Sequence, residues 1–260
     1  MSDLIARIDG TAGRITLNRP DALNALTYDM CLEIESMLDL WEANPNVSLI
    51  IFDAAGDRAF CAGGDITMMY ATAEVGDFEY GRKFWTDEYR LNAKLATCPK
   101  PIVSFLHGFT MGGGVGLGCH VPHRVVCENS QIAMPECGIG LVPDAGGSLL
   151  LARAPGRFGE HLGTTTSRMG PADAIFVGFA DHFILQEHWS AVIQSLCDTG
   201  STEALESFAQ EPSPAPLIAI EAEVTEFFRG EYFGDIVINL QHAGGDFATK
   251  TLKKLSISSP

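Results

Sequence analysis

Between Pro101 and Gly147 short apolar runs are punctuated by glycines, and no other stretch constrains the fold as much. It reads PIVSFLHGFTMGGGVGLG, and then RVVCENSQIAMPECGIGLVPDAGG. The run Ile102 to Leu106 has the length of a buried strand and ends at His107-Gly108. Three glycines, Gly112 to Gly114, then open a small-residue segment. A strand that feeds a glycine turn into a helix start offers N–H groups that no helical carbonyl claims. Glu136 and Asp144 follow, separated by CGIGLVP, whose Gly and Pro residues allow both carboxyls to reach one pocket. Free N–H donors beside carboxylates are equipment for stabilising an oxyanion and moving protons. The residues alone equally admit glycines that serve only tight packing and two solvated loop acids.

The remaining chain carries the same alternation. Leu4 to Ile8 and Arg14 to Leu17 read as a hairpin around Gly10 and Gly13, followed by the turn Asn18 to Asp21. A helix is expected from Thr27, with Met30, Ile34, Met37, Leu38 and Trp41 on one core-facing side. Asn44-Pro45-Asn46 stops it, and Ser48 to Phe52 is a buried strand. The loop Gly56 to Asp65 ends in FCAGGD, where paired glycines allow close backbone approach to a ligand. Thr67 to Leu95 reads as helical and carries Glu88, which as a lone helical acid would ordinarily be solvated. Beyond the breaker Cys98 to Pro101, strands are expected at Arg124 to Cys127 and Gln131 to Ala133, and helix starts at Ser148 and at Gly170-Pro171. From Gln186 onward the pattern is amphipathic helix, interrupted at Glu211 to Pro216. Alternating short strands and helices specify an α/β chain.

Lys+Arg 17 against Asp+Glu 33 leaves a net charge of −16, which argues against binding nucleic acid or an anionic membrane. The cysteines, 7 in all and without metal-type spacing, and an N-terminus lacking a basic and an apolar region point to a reduced, cytoplasmic compartment. No run approaches the roughly 18 apolar residues of a membrane span. The glycine triplet lacks the Lys-Ser or Lys-Thr of a phosphate loop, the dinucleotide spacing is not met, and no serine elbow is present. His107, His120 and His123 lack zinc-site spacing, and Cys61 and Cys119 read as small buried residues, so neither metal nor cofactor is expected.

Taken together, Asn18-Arg19-Pro20 with Asn24-Ala25-Leu26, FCAGGD (Phe60 to Asp65), HGFTMGGGVGL (His107 to Leu117) and AMPECGIGLVPDAGG (Ala133 to Gly147) resemble the crotonase, or enoyl-CoA hydratase/isomerase, superfamily. The resemblance runs to about Ile184. It implies a crotonase-like spiral of ββα units over residues 1–185, a helical region over 186–260, an acyl-CoA thioester as substrate, and assembly as trimers or hexamers. By the same resemblance the N–H groups of Gly64 and Gly113 form an oxyanion hole, and the loop Ala62, Gly63, Asp65 and Ile66 lines the coenzyme A path. Coenzyme A is then part of the substrate, not a cofactor.

The acids separate the branches. Hydratases hold water with two glutamates; one matches Glu136, and the other would fall where this chain has Gly116. The 3-hydroxyisobutyryl-CoA hydrolases are more similar, through MGGGVGL, MPE-x-x-IGL-x-PD and the match at Glu88-Tyr89-Arg90-Leu91-Asn92. This implies Glu136 as nucleophile or base, Asp144 on the substrate hydroxyl, and Glu88 shaping the acyl pocket. Those hydrolases continue past the text of Lys253 to Pro260, and the Gln186 to Ala215 segment is shorter here, so weaker closure over the acyl group is expected. A hydratase or isomerase, and a non-catalytic acyl-CoA binder, remain as alternatives.

Overall fold

The structure is a computed structural model of the chain and describes residues 2–258; Ser259 and Pro260, the end of the C-terminal text quoted above, lie outside the described residues. The strands are β1 (Leu4–Asp9), β2 (Ala12–Leu17), β3 (Leu49–Ala54), β4 (Ala59–Cys61), β5 (Ile102–Leu106), β6 (Phe109–Met111), β7 (His123–Val126), β8 (Gln131–Ala133) and β9 (His182–Phe183). They form one sheet ordered β1-β2-β3-β5-β7-β9 and a smaller one ordered β4-β6-β8. The hairpin β1–β2 is antiparallel, with Leu4 opposite Leu17, and every other pairing between named strands is parallel.

Successive strands leave one sheet for the other: β3, β5 and β7 join the larger, and β4, β6 and β8 the smaller. A helical segment follows each such pair, so the chain winds as a spiral of strand–strand–helix turns. The helices of the spiral are α1 (Tyr28–Glu42), α2 (Thr67–Glu74), α3 (Glu79–Thr97), α4 (Gly113–Gly118), α5 (Gly147–Arg153), α6 (Phe158–Thr165) and α7 (Pro171–Phe176). The C-terminal region contributes α8 (Trp189–Thr199), α9 (Glu203–Phe208), α10 (Glu221–Phe227), α11 (Phe233–Ala243) and α12 (Gly245–Ile257).

Local chemistry accounts for these elements. The Thr27 hydroxyl accepts the Met30 N–H at 3.2 Å and caps α1. Met30, Ile34, Leu38 and Trp41 then bury one face of that helix. In β3, Leu49 to Phe52 are all buried because the parallel sheet is covered on both sides. Phe52, Phe60, Phe84 and Leu106 belong to the core on one side. Leu49, Ile51, Val103 and Phe105 pack with Trp189, Val192 and Leu196 of α8 on the other.

Several sequence expectations need amendment. The Gly56 to Asp65 loop contains β4, too short for its apolar run to stand out. The continuous helix expected from Thr67 to Leu95 is two helices, broken where Gly76 takes a left-handed φ of 80°. Strands β6 and β9 and helix α6 have no counterpart among the expected elements; at 3, 2 and 8 residues they are shorter than a periodic pattern needs.

Candidate active site

The three parallel strands of the smaller sheet deliver their C-terminal ends to one place. Beyond β4 lies Ala62-Gly63-Gly64, beyond β6 Gly112-Gly113, and beyond β8 Met134-Pro135-Glu136. Ligand sites in open α/β sheets favour the carboxyl ends of parallel strands for this reason. These loops, with Glu88 of α3 and Asp144, line a cavity of about 210 Å³. A larger groove of about 800 Å³ lies over α5 and α6, but none of the three candidate acids lines it.

The donor side is made of backbone. Gly63 has φ 116° and Gly112 φ 51°, conformations that side-chain-bearing residues rarely adopt. A Cβ on Gly113 would stand 3.2 Å from the Gly64 nitrogen, so the two glycine amides are neighbours. Among the described residues neither the Gly64 nor the Gly113 N–H has an acceptor. Gly113 is the first residue of α4, where the helix supplies none.

The Asn18 to Leu26 text is the clamp for this loop. The Asn24 amide donates to the Ala55 and Ala59 carbonyls at 2.9 and 2.8 Å. The Leu26 N–H donates to Gly63 O at 2.9 Å, and Leu26 O accepts the Asp65 N–H at 2.8 Å. Asp65, expected on the coenzyme A path, pairs with Arg19 at 3.0 Å and accepts the Thr67 N–H at 3.2 Å where α2 begins. Hydrogen bonds from Thr67, and then Arg19, hold the Asp65 carboxyl below its ordinary range. Ala62, Gly63 and Ile66 do line the cavity, and Asp65 does not.

The acid side is made of side chains from three elements. Glu88 is only 3% exposed, contrary to the solvated helical acid its local sequence suggests, and Glu136 only 5%. Glu88 faces α4 because Gly113 has no side chain: a Cβ there would meet Glu88 Oε1 at 2.5 Å. A Cβ on Gly112 would likewise meet Glu136 Oε1 at 2.6 Å. Glu88 Oε1 and Glu136 Oε2 are buried without a hydrogen-bond partner. Burial, and then the charges of Asp144 and Glu136, push the Glu88 carboxyl up to about 7. Burial pushes Glu136 up to about 7, its own backbone N–H opposing and the Asp144 charge adding. Asp144 accepts a 2.7 Å hydrogen bond from the Tyr89 hydroxyl, and burial together with that bond raises Tyr89. Two acids near neutrality beside an ionisable third can hold and pass a proton at physiological pH.

Position 116 is closed to any side chain. A Cβ on Gly116 would fall 2.8 Å from the Ala145 Cβ and 2.9 Å from Asn92 Nδ2. The amide of Asn92, 4% exposed, has no partner at either atom. Sequence reasoning missed Trp85, Met69 and Tyr89 as site residues. Trp85 stands one helical turn before Glu88, so helical spacing from Glu88 could have found it. His107, His120 and His123 do not converge: His120 meets Ala145 O at 2.9 Å, while His123 stacks on His182.

Residues 12–260 match the family described as Enoyl-CoA hydratase/isomerase. The chain is 40% identical over 262 residues to the mitochondrial 3-hydroxyisobutyryl-CoA hydrolase of Xenopus laevis, covering 96% of this chain and 68% of that protein. A crystal structure described as an enoyl-CoA hydratase from Rhodobacter sphaeroides 2.4.1 superposes with TM-score 0.94 at 49% identity, covering all (100%) of this chain and 75% of that one. Another, described as a carnitinyl-CoA dehydratase from Mycobacterium thermoresistibile, gives TM-score 0.96 at 39% identity, with coverages of 100% and 76%. The names of these three relatives agree on a coenzyme A ester and differ on the reaction.

Proposed function

We propose, because the chain belongs to the enoyl-CoA hydratase/isomerase family, that it hydrolyses the thioester of a 3-hydroxyacyl-CoA of the 3-hydroxyisobutyryl-CoA type. The observation that carries this reading is the exchange of acids around α4. Position 116, where a hydratase would present its second glutamate, is bare and filled by Ala145 and Asn92. The buried acid beside Glu136 comes instead from Glu88 on α3. The hydrolase name of the 40% identical relative supports the same branch.

In this mechanism the thioester carbonyl oxygen sits between the Gly64 and Gly113 N–H groups, and Ala62, Gly63 and Ile66 flank the pantetheine. Glu136 attacks the carbonyl carbon, or draws a proton from a water that does; both routes place negative charge on the oxygen held by the two N–H donors. Collapse breaks the carbon–sulfur bond and expels coenzyme A as its thiolate. The water route gives the acid at once, whereas direct attack leaves an acyl–Glu136 anhydride that a water then hydrolyses, freeing Glu136. In both, the thiolate takes the proton released from that water. Asp144 holds the 3-hydroxyl and relays that proton, and Glu88 polarises the acyl pocket. The products are the free hydroxy acid and coenzyme A.

A hydratase is the second reading, favoured by the name of the solved structure at 49% identity. Two parallel assays separate them. Thiol release from 3-hydroxyisobutyryl-CoA with no loss of enoyl-thioester absorbance from crotonyl-CoA is the expected result. Enoyl loss without thiol release would overturn the hydrolase reading.

A further inference from the structure

The turn that carries Asp144 is built on a conformation it would not hold alone. Ala145 has φ 46° and Gly146 φ 73°, and the Gly147 N–H closes on Asp144 O at 2.6 Å. A left-handed alanine persists only where its surroundings over-determine it. Two features of α4 and its exit do so. Gly116 leaves the space into which the Ala145 Cβ settles. Four residues later, His120 Nε2 lies 2.9 Å from Ala145 O. A carbonyl only accepts, so Nε2 carries the proton and donates it. The ring also lies close against the turn, since a Cβ on Gly146 would stand 2.4 Å from Nε2. The turn is thereby held twice: the Asp144 carboxylate by the Tyr89 hydroxyl, and the carbonyl of the next residue, Ala145, by the imidazole.

The geometry points to His120 as the positioning residue for Asp144, acting through the Ala145 carbonyl. The inference rests on the catalytic reading of Asp144 above and adds a residue to which sequence and comparisons assign nothing. His120 touches no reacting atom in this account; it fixes the direction of the carboxylate. Displacing a catalytic group by about an ångström costs on the order of a hundredfold in rate, so a bond to the residue next to Asp144 is well placed to matter.

The test is a double-mutant cycle read as kcat and KM for thiol release from 3-hydroxyisobutyryl-CoA, using His120→Leu, His120→Gln, Asp144→Ala and the double variant H120L/D144A. His120→Leu should lower kcat about tenfold or more with KM changed little. His120→Gln, whose Nε2 donor reaches the same carbonyl, should restore most of it. In the Asp144→Ala background His120→Leu should add no further loss. A loss as large in that background, or a glutamine variant as impaired as leucine, overturns the inference. Crystal structures of the two single His120 variants decide it independently of which thioester is turned over. The leucine variant should release Ala145 from its left-handed φ and break the Tyr89–Asp144 bond, and the glutamine variant should keep both. An unmoved turn in the leucine variant contradicts the inference even if the hydrolase reading stands, whereas a silent wild-type assay with a moved turn would contradict only the latter.

Discussion

The two sides of the site are built in opposite ways. The donor side is backbone: Gly63-Gly64 and Gly112-Gly113, fixed by strand ends and by the Asn24 and Leu26 hydrogen bonds. The acid side is side chain: Glu88 from α3, Glu136 just after β8, and Asp144 from a strained turn. The donor loops are tied to their scaffold and leave N–H groups free only toward the cavity. Glu88 and Glu136 each leave a carboxyl oxygen without a partner in burial that opposes their charge. Stability is therefore concentrated in one side and sacrificed in the other, the pattern expected where preorganised donors meet groups that must change protonation.

That contrast can be broken at several points. Glu136→Gln removes the acid that no backbone can replace, and thiol release should fall by on the order of 10²–10⁴. Full activity would show that the acid side is not where the chemistry happens. Gly113→Ala joins the two sides in one defect, because its methyl would meet both Glu88 Oε1 and the Gly64 nitrogen. The expected loss in kcat is about 10²–10³ with the fold retained. Gly114→Ala is the control on the scaffold: its methyl would meet Cys61 O at 2.2 Å, so it should lower thermal stability.

The titration of the acids sharpens the comparison further. Glu88 and Glu136 are raised from an ordinary 4.5 to about 7 in the folded chain. Between those values the native state binds more protons than the unfolded one, so their contribution to stability declines as pH rises from about 4.5 through about 7. Glu88→Gln should accordingly raise the Tm at pH 8 by more than at pH 4.5; an equal shift at both would refute the buried, unpaired acid. The proposed mechanism uses Glu136 as its carboxylate, so activity should fall as pH drops through about 7. The smallest effect belongs to Tyr89→Phe, which removes one hydrogen bond to Asp144. A loss of about tenfold in kcat is expected, and none at all would leave Asp144 held by its backbone alone.

The difference between the two sides also explains how much could be read from the sequence. The donor side is local: FCAGGD and MGGG lie directly after strands, and backbone N–H groups need no distant partner to be recognised. Glu136 and Asp144 are near enough in sequence to be paired by the glycine-bearing link between them. Glu88 was legible only through resemblance, because its burial depends on Gly113 and Gly116 of another helix making room for α3. Tyr89 stood in the quoted Glu88 to Asn92 text without a role, since its partner lies 55 residues away. Asp65 was placed on the coenzyme A path by resemblance alone, and its ion pair with Arg19 of the N-terminal turn, 46 residues away, had no local signal. Elements of two or three residues, such as β9 and β4, gave no periodic signal and are defined by their sheet partners alone.

The most direct test of this division of labour is a crystal structure of the Glu136→Gln variant with an intact 3-hydroxyacyl-CoA bound. The account predicts the thioester carbonyl oxygen at about 3 Å from both the Gly64 and Gly113 nitrogens, with the 3-hydroxyl on Asp144 and the glutamine side chain facing the carbonyl carbon. A carbonyl turned away from the two glycines, or a thioester seated over α5 and α6 instead, would contradict it.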